Sequence, residues 1–221
     1  ARARKVSSLR TFFKYLTVTT GMLKNNPILQ LETPKIKKSL PKYLTLEQSK
    51  LLLDEPEGTF RERDFCMILL FLNCGIRLSE LVGINISDIL RSEDGNSMRV
   101  VGKGNKERIV YFNARAKIHL QQYLSSRKDR NKALFVSLAK PHNRLQISGV
   151  EVRLRKIGHS SKIARVHPHK FRRTLATMAI DKGMPVEQVQ KLLGHVKIDT
   201  TMHYAMVNQN NVKLSHRKYI N

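Results

Sequence analysis

Residues 98–112, MRVVGKGNKERIVYF, decide the fold class that the sequence predicts. Two short β-prone runs flank the segment Gly102–Lys106, and a break of this length that contains Gly and Asn is typical of a β-hairpin. Elsewhere the apolar residues recur at spacings of three and four, which is the period of an amphipathic helix. We therefore predict a mainly α fold with one small antiparallel β-sheet.

Helical segments surround this hairpin. Thr45 and Gln48 form the T-x-x-Q pattern of a capping box, so a helix and a new domain are expected to begin close to residue 43. The apolar helix that comes next is expected to end near Gly75, and glycines at 183 and 194 are expected to end two later helices. The helical segments after the hairpin are residues 116–124, 171–180 and 186–193.

The N-terminal part of the chain has a different organisation. Residues 5–17 carry apolar side chains at helical spacings, and residues 31–42 contain two prolines and four lysines without periodicity, as in an extended basic linker. The predicted domains are residues 1–30, the linker 31–42 and residues 43–221. Because the sequence opens within a basic amphipathic pattern and without an initiator Met, we expect it to be part of a longer protein.

The charge balance indicates a polyanionic partner. Lys and Arg number 41 against 17 Asp and Glu, which gives a formal net charge of +24 in 221 residues. Phosphate contacts by Lys and Arg supply most sequence-independent affinity for nucleic acid, so nucleic acid is the first candidate and an anionic membrane surface the second. No apolar run approaches the roughly 18 residues that span a bilayer, and no signal peptide is visible, so we expect a soluble intracellular protein.

The cysteines and histidines give little support to a metal site. Cys66 and Cys74 lie eight residues apart in a helical pattern, about 12 Å, whereas a disulfide needs less than about 7 Å, so both are expected to be free core thiols. Zinc bound by histidines is the alternative, but no Cys or carboxylate joins them and their spacings match no zinc pattern. These residues are His167, His169, His195 and His203. We expect no metal and no other cofactor.

Several residues suit chemistry on a phosphodiester. Such a site must stabilise charge on the non-bridging oxygens, supply a nucleophile and protonate the leaving oxygen, and the planar fork of Arg binds phosphate through two donors. Arg77 has Glu80 three residues later to orient it, although a structural ion pair is the alternative. His169 and Arg172 would share one helix face. Tyr204 ends the stretch LLGHVKIDTTMHY after a predicted polar turn, and is either a nucleophile or a core residue.

Five segments, taken together in this order, resemble the motif set of the tyrosine recombinases, most closely the Xer-type branch and its integrase relatives. They are CGIRLSELVGI (74–84), VGKGNKER (101–108), PHKFRRTLAT (168–177), LLGH (192–195) and TTMHYA (200–205). The resemblance covers residues 43–218, and residues 1–42 are similar to the last helix of the family's core-binding domain and its linker. It implies the fold of the DNA breaking-rejoining enzymes, with the catalytic domain in residues 43–221.

The resemblance also implies a role for each matching residue. Six positions correspond to the family's catalytic set, and none is substituted: Arg77, Lys103, His169, Arg172, His195 and Tyr204. Tyr204 would attack the scissile phosphate and form a 3′-phosphotyrosyl bond, Lys103 would protonate the departing 5′-oxygen, and Glu80 would support the first arginine. Four further basic residues would contact duplex DNA and are otherwise solvated charges: Lys42, Lys106, Arg108 and Arg173.

As partners the resemblance implies double-stranded DNA with specific recombination sites and a homotetramer on that DNA, or a heterotetramer with a paralogue. The tail, residues 208–221, would pack against the neighbouring protomer, and the protein would act at the nucleoid in the cytoplasm of a bacterium or archaeon. A type IB topoisomerase is one alternative, but the L-L-G-H-(x8)-Y spacing and the tail argue against it. A DNA-binding protein without catalysis is another, and the full catalytic set argues against that.

Overall fold

The structure, a computed structural model, describes residues 2–32, 34, 42–58, 61–90, 96–102 and 104–205, except for the side chains of Leu90, His203 and Ala205. The chain divides into two compact units, residues 1–40 and residues 41–221. Lys103, the predicted tail 208–221 and most of the predicted linker 31–42 lie outside the described residues. None of the described helices is both long enough and apolar enough to cross a membrane.

The first unit contains α1, Arg2–Lys14, which continues into one π-helical turn, Tyr15–Thr19. The helix predicted for residues 5–17 is therefore confirmed, with a wider last turn. The hydroxyl groups of Thr11 and Thr17 donate to the carbonyl four residues earlier, a local bond that Ser and Thr commonly make in helices. None of the described residues of this unit is buried.

The second unit is mainly helical with one two-stranded antiparallel sheet, which confirms the predicted fold class. The predicted capping box is present, because the Gln48 N–H donates to Thr45 Oγ1 at 3.1 Å and the Gln48 side chain accepts from the Thr45 N–H. The elements in chain order are α2 (Leu46–Asp54), α3 (Arg61–Cys74), α4 (Leu78–Gly83), α5 (Ile86–Leu90), β1 (Ser97–Val101), β2 (Glu107–Tyr111), α6 (Ala114–Ser126), α7 (Ile147–Ser160), α8 (Pro168–Asp181), α9 (Val186–Leu193) and α10 (Asp199–Ala205).

Three of these helices, α5, α7 and α10, were not predicted from the sequence. α7 was not predicted, although Val150, Leu154 and Ile157 recur at helical spacings and are buried. The polar turn predicted before Tyr204 is present but short: it comprises residues 195–198, and the next residues form α10, which carries the tyrosine. A helix of seven residues is marginal by itself, and α10 is formed because it packs against α8 and α9.

α3 forms the centre of the core and packs against α2, α6 and α8. Its residues Ile68 and Phe71 are fully buried, and Phe71 stacks on Phe171 of α8 with ring centroids 5.6 Å apart. Cys66 and Cys74 in the same helix are free and buried, as predicted, and burial raises the pKa of each thiol to about 12. Because α3 is surrounded by packed elements, its C-terminal end is a fixed point for the residues that come next.

β1 and β2 pair in one register, with Val100 opposite Arg108 and Met98 opposite Val110. Met98, Val100 and Val110 are buried, so this face of the hairpin is turned towards the core. Side chains alternate between the two faces of a strand, and Arg108 therefore shares the inward face with Val110. The predicted hairpin is confirmed, and it carries one basic side chain inwards.

A buried carboxylate joins α3 to α7. Asp64 is fully buried and accepts hydrogen bonds from Arg63 and from Arg153 of α7, while Arg63 Nη1 also donates to the Val136 carbonyl at 3.2 Å. A buried charge is stable only when it is paired and hydrogen-bonded, and here guanidinium groups reach both carboxylate oxygens. These two arginines therefore contribute to the packing of the fold.

Asp64→Ala should lower the free energy of unfolding by about 3–5 kcal/mol, because two guanidinium groups lose their buried counter-charge. Urea unfolding followed by circular dichroism measures this difference. The matched control is Glu107→Gln, which breaks an ion pair with Arg99 whose side chains are about half exposed, and which should cost no more than about 1 kcal/mol. Equal losses in the two variants would contradict a structural role for the Asp64 network.

Candidate active site

Arg77 lies between α3 and α4, where the backbone leaves the core. Gly75 precedes it in the left-handed region at φ 56°, and a Cβ atom there would come within 2.8 Å of Leu175 and Leu193, so glycine lets α8 and α9 approach. The Arg77 N–H donates to Glu80 Oε2 at 2.6 Å, and its Nη1 donates to Glu80 Oε1 at 2.9 Å. This contact, expected from the sequence spacing, fixes the guanidinium at the start of α4.

Glu80 is buried and holds a second guanidinium, that of Arg108 on β2. Burial acts to raise the pKa of this carboxyl, but hydrogen bonds from Arg108 and Arg77 outweigh it and hold the pKa below its usual range. The hairpin comes close at Gly102, where a Cβ atom would lie 3.0 Å from Glu80 Oε1. Glu80 is therefore an ionised carboxylate that keeps Arg77 and Arg108 side by side.

Arg172 is carried by α8, and only 4% of the residue is exposed. Its Nη1 donates to the Gly75 carbonyl at 2.5 Å and its Nη2 donates to the Leu193 carbonyl, so it ties together the C-terminal ends of α3 and α9. Helix dipoles favour a cation at such carbonyl ends. Burial, Arg77 and Arg108 lower the pKa of Arg172 to about 9, which still leaves the group charged at neutral pH.

His169 lies three residues before Arg172 on the same helix and is exposed. Partial desolvation, together with Arg172, Arg173 and Arg77, lowers the pKa of its imidazole, which is therefore neutral at pH 7. A cleft of about 410 Å³ separates the start of α4 from the start of α8. Arg77, His169 and Arg172 all line this cleft, so the predicted histidine and arginine pair faces the first arginine.

His195 follows Gly194, which ends α9 in the left-handed region at φ 63°, as predicted. The Gly194 carbonyl accepts from Arg77 Nη2 at 3.0 Å, and a Cβ atom on Gly194 would lie 2.9 Å from Cδ of Arg108. Burial, Arg172, Arg77 and Arg108 lower the pKa of His195 to about 4, so its imidazole is neutral at pH 7. A second cleft, of about 450 Å³, is lined by Arg77, Arg108 and His195.

Tyr204 lies on α10, with its ring centroid 6.2 Å from that of His195. It is half-buried against a small apolar cluster of α8 and α9. The buried members of that cluster are Ala176, Val189 and Leu193. The phenol lies close enough to Arg172 to act on the pKa of that guanidinium. It acts to raise this pKa, whereas burial, Arg77 and Arg108 lower it more strongly. The ring therefore packs like a core residue, and its phenol lies within electrostatic reach of Arg172.

Five of the six predicted catalytic residues thus lie in one region, at the meeting point of α3, α4, α8, α9 and α10. They are Arg77, His169, Arg172, His195 and Tyr204. The sixth, Lys103 of the hairpin loop, lies outside the described residues. Of the predicted DNA contacts, Lys42 and Lys106 are exposed and Arg173 is partly buried. In the described part of the chain, no group of three or more His, Cys, Asp or Glu side chains is placed to hold a metal ion.

Known proteins share this sequence pattern. The profile of the phage integrase family matches residues 42–211. The chain belongs to the phage integrase family. The tyrosine recombinase XerC of Caldanaerobacter subterraneus subsp. tengcongensis is 42% identical over 221 residues, which cover 96% of this chain and 61% of that protein. XerC of Leptospira interrogans serovar copenhageni is 36% identical over 227 residues, which cover 99% of this chain and 71% of that protein. The chain therefore spans only part of the length of these relatives.

Solved structures share the fold. XerA recombinase aligns with a TM-score of 0.70 at 24% identity, over 97% of this chain and 82% of that one. The Tn1549 transposon integrase, in complex with a circular intermediate DNA, aligns with a TM-score of 0.73 at 16% identity, over 96% of this chain and 78% of that one. XerH in a pre-cleavage complex with its difH substrate aligns with a TM-score of 0.65 at 21% identity, over 87% of this chain and 58% of that one. The resemblance to tyrosine recombinases that the five motifs indicated is confirmed.

Two residues of this site make contacts that the sequence did not predict. Arg108 was expected to contact DNA or solvent, but its side chain is only 13% exposed and pairs with Glu80. The alternation along β2 did not reveal this, because the opposite face of the strand carries Ile109 and Tyr111, which are apolar yet more than half exposed. Thr201 is the second residue, fully buried with Oγ1 2.8 Å from Nδ1 of His195. No local sequence pattern marks it.

Gly194→Ala should lower the free energy of unfolding more than Gly58→Ala, as measured by urea unfolding. The two glycines have nearly the same dihedral, φ 63° and 62°, so the strain of Ala in the left-handed region, about 1–2 kcal/mol, is common to both. Only at Gly194 would the added Cβ atom meet Arg108, since nothing lies within 4 Å at Gly58. Equal losses would mean that the close approach of Arg108 does not constrain this position.

Proposed function

We propose that this protein is a site-specific DNA recombinase that cleaves and rejoins DNA strands through a 3′-phosphotyrosyl intermediate. The observation that carries the proposal is the convergence of Arg77, Arg172, a neutral His195 and Tyr204 within one protomer. Two guanidinium groups suit the charge of a phosphodiester in its transition state, and a phenol beside them suits attack on phosphorus. Because the chain covers 61% of its first relative, the activity of the whole protein is part of this proposal.

In the proposed reaction, the Tyr204 oxygen attacks the scissile phosphorus. A bond from this oxygen to phosphorus forms, the bond from phosphorus to the 5′-oxygen breaks, and Lys103 protonates the departing oxygen. The tyrosyl ester keeps the energy of the phosphodiester, so the 5′-hydroxyl of a second strand reverses the attack without an external energy source. The absence of a G-x-x-x-x-G-K-[ST] segment from the sequence agrees with this scheme.

The other residues have proposed roles that follow from their charge states. Arg77 and Arg172 would neutralise the non-bridging oxygens of the pentacoordinate phosphate. His195 is neutral, so it would bind the same oxygens by a hydrogen bond rather than by charge. His169 is exposed at the cleft and neutral, and would accept the tyrosine proton or orient the phosphate. The clefts on the two sides of Arg77 would hold the scissile phosphate and the DNA next to it.

Double-stranded DNA with a specific recombination site is the proposed partner. The DNA complexes of XerH and of the Tn1549 integrase support this choice. Lys42, Lys106 and Arg173 would contact the DNA backbone, and Arg108 would add positive charge from the floor of the cleft. Burial and the nearby Lys42 lower the pKa of Lys170, so two positive charges lie close together there. Such charge pairs favour the binding of a polyanion.

We also propose that the protein acts at the nucleoid as a homotetramer on DNA, or as a heterotetramer with a paralogue. The tail, residues 208–221, would pack against the neighbouring protomer, and its support is the family resemblance. Tyr204 lies beside His195 of its own protomer, which favours cleavage in cis.

Tyr204→Phe should abolish the covalent protein–DNA adduct, because the substitution removes the only attacking oxygen in the scheme. The adduct is measured by denaturing gel after incubation with duplexes that carry candidate recombination sites. The matched control is Tyr111→Phe, which removes the same hydroxyl from an exposed tyrosine on β2 and should leave adduct formation intact. An adduct that persists in Tyr204→Phe would assign the nucleophile to another residue, and no adduct from the unmodified protein on any site would remove the recombinase proposal.

Lys103→Ala should slow cleavage of an ordinary phosphodiester but regain the rate on a 5′-bridging phosphorothiolate, whose sulfur leaving group needs no general acid. Single-turnover cleavage of the two matched duplexes measures the ratio of rates. Lys106→Ala, in the same loop, is the control, because loss of a backbone contact weakens binding to both duplexes alike. A Lys103→Ala variant that is not rescued would reassign the general acid.

A further inference from the structure

The imidazole of His195 is hydrogen-bonded to the helix that carries Tyr204. Thr201 on α10 is fully buried, and its Oγ1 lies 2.8 Å from Nδ1 of His195. Thr201 and Tyr204 are three residues apart on α10 and therefore lie on neighbouring positions of one helix face. One bond thus connects the histidine to the helix of the proposed nucleophile.

The direction of this hydrogen bond follows from the partners of the Thr201 hydroxyl. Helical threonines often donate to the carbonyl four residues earlier, as Thr174 does to Lys170 at 2.9 Å. Among the described residues, Thr201 makes no such bond, and Nδ1 of His195 is the acceptor available to its hydroxyl hydrogen. The hydroxyl therefore donates to Nδ1, which requires Nδ1 to carry no proton.

The charge state of His195 then assigns the other nitrogen. Burial and the three neighbouring guanidinium groups lower the pKa of this imidazole to about 4, so at neutral pH the ring carries one proton. With Nδ1 unprotonated, that proton is on Nε2, on the opposite edge of the ring from α10. His195 also lines the cleft that contains Arg77, so the ring is placed to act as a neutral donor there.

We propose that Thr201 is a positioning residue whose hydroxyl fixes His195 in the Nε2–H tautomer, so that His195 donates a hydrogen bond to the phosphate during DNA cleavage. The proposal rests on the proposed recombinase function for the phosphate, but the tautomer itself is a property of the protein without DNA. The opposite tautomer would present a lone pair to an anionic phosphate and would repel it.

Nitrogen-15 NMR of the full chain labelled at histidine tests the tautomer directly at pH 7. Long-range proton–nitrogen correlations distinguish a protonated from an unprotonated ring nitrogen, and His195→Gln identifies the His195 signals by their loss. We expect Nε2–H in the unmodified protein and in Thr201→Ser, and a shift towards Nδ1–H in Thr201→Val. The matched control is Thr200→Val, the same change at the exposed neighbouring position, which should keep the Nε2–H form.

Single-turnover DNA cleavage then tests the consequence. Thr201→Val should cleave about 10-fold more slowly or worse, a loss of the size found when the group that orients a metal-bound histidine is removed, whereas Thr201→Ser and Thr200→Val should cleave at the original rate. Circular dichroism and urea unfolding establish that the variants are folded. The rates and the spectra of the unmodified protein, Thr201→Val, Thr201→Ser and Thr200→Val are compared protein by protein.

Two results would overturn the proposal: Nδ1–H in the unmodified protein, or slow cleavage by Thr201→Val with an unchanged tautomer, which would make Thr201 merely structural. If Thr201→Val fails to fold, the spectra of the unmodified protein and Thr201→Ser still decide the assignment. If the unmodified protein forms no covalent adduct on DNA, the proposed function fails, while the spectra decide the tautomer separately.

Discussion

The site depends on one buried carboxylate. Glu80 accepts hydrogen bonds from Arg77 and Arg108, and without its charge three neighbouring guanidinium groups would repel one another in a partly desolvated region. The third guanidinium group, that of Arg172, is held by backbone carbonyls. It donates to those of Gly75 and Leu193 at the ends of two helices. The protein itself therefore holds the arginines in place, and their arrangement does not depend on a bound phosphate.

Much of the arginine content of this basic chain is directed inwards. Arg127 donates to Asp129 and to three backbone carbonyls, and Arg144 donates to the carbonyls of Val82 and Ile84. The buried carboxylate clusters of the core and the site engage further arginines in the same way. A net charge of +24 therefore indicates a polyanionic partner correctly but overstates the basic surface that is free to contact it. Exposed lysines are the better guide to that surface.

Local patterns could be predicted from the sequence because their physical cause is local. The capping box of Thr45 and Gln48, the C-cap at Gly194 and the hairpin all depend on residues within a few positions of one another. The contacts of Arg108 and Thr201 were not predictable in this way, because they depend on which helix end comes to lie beside which strand. The helix around Thr201 was missed for the same reason, since its stability comes from packing. Family motifs supplied the proposed reacting groups, and the fold supplies the groups that hold them.

Gly75 illustrates how far such constraints extend beyond the residues that react. It has no side chain, yet its left-handed backbone, the carbonyl bonded to Arg172 and the space occupied by Leu175 and Leu193 all depend on the missing Cβ atom. Every missense change of a glycine codon adds a side chain, so no substitution at this position is conservative. A residue with no chemistry of its own can thus be as intolerant of mutation as the proposed nucleophile.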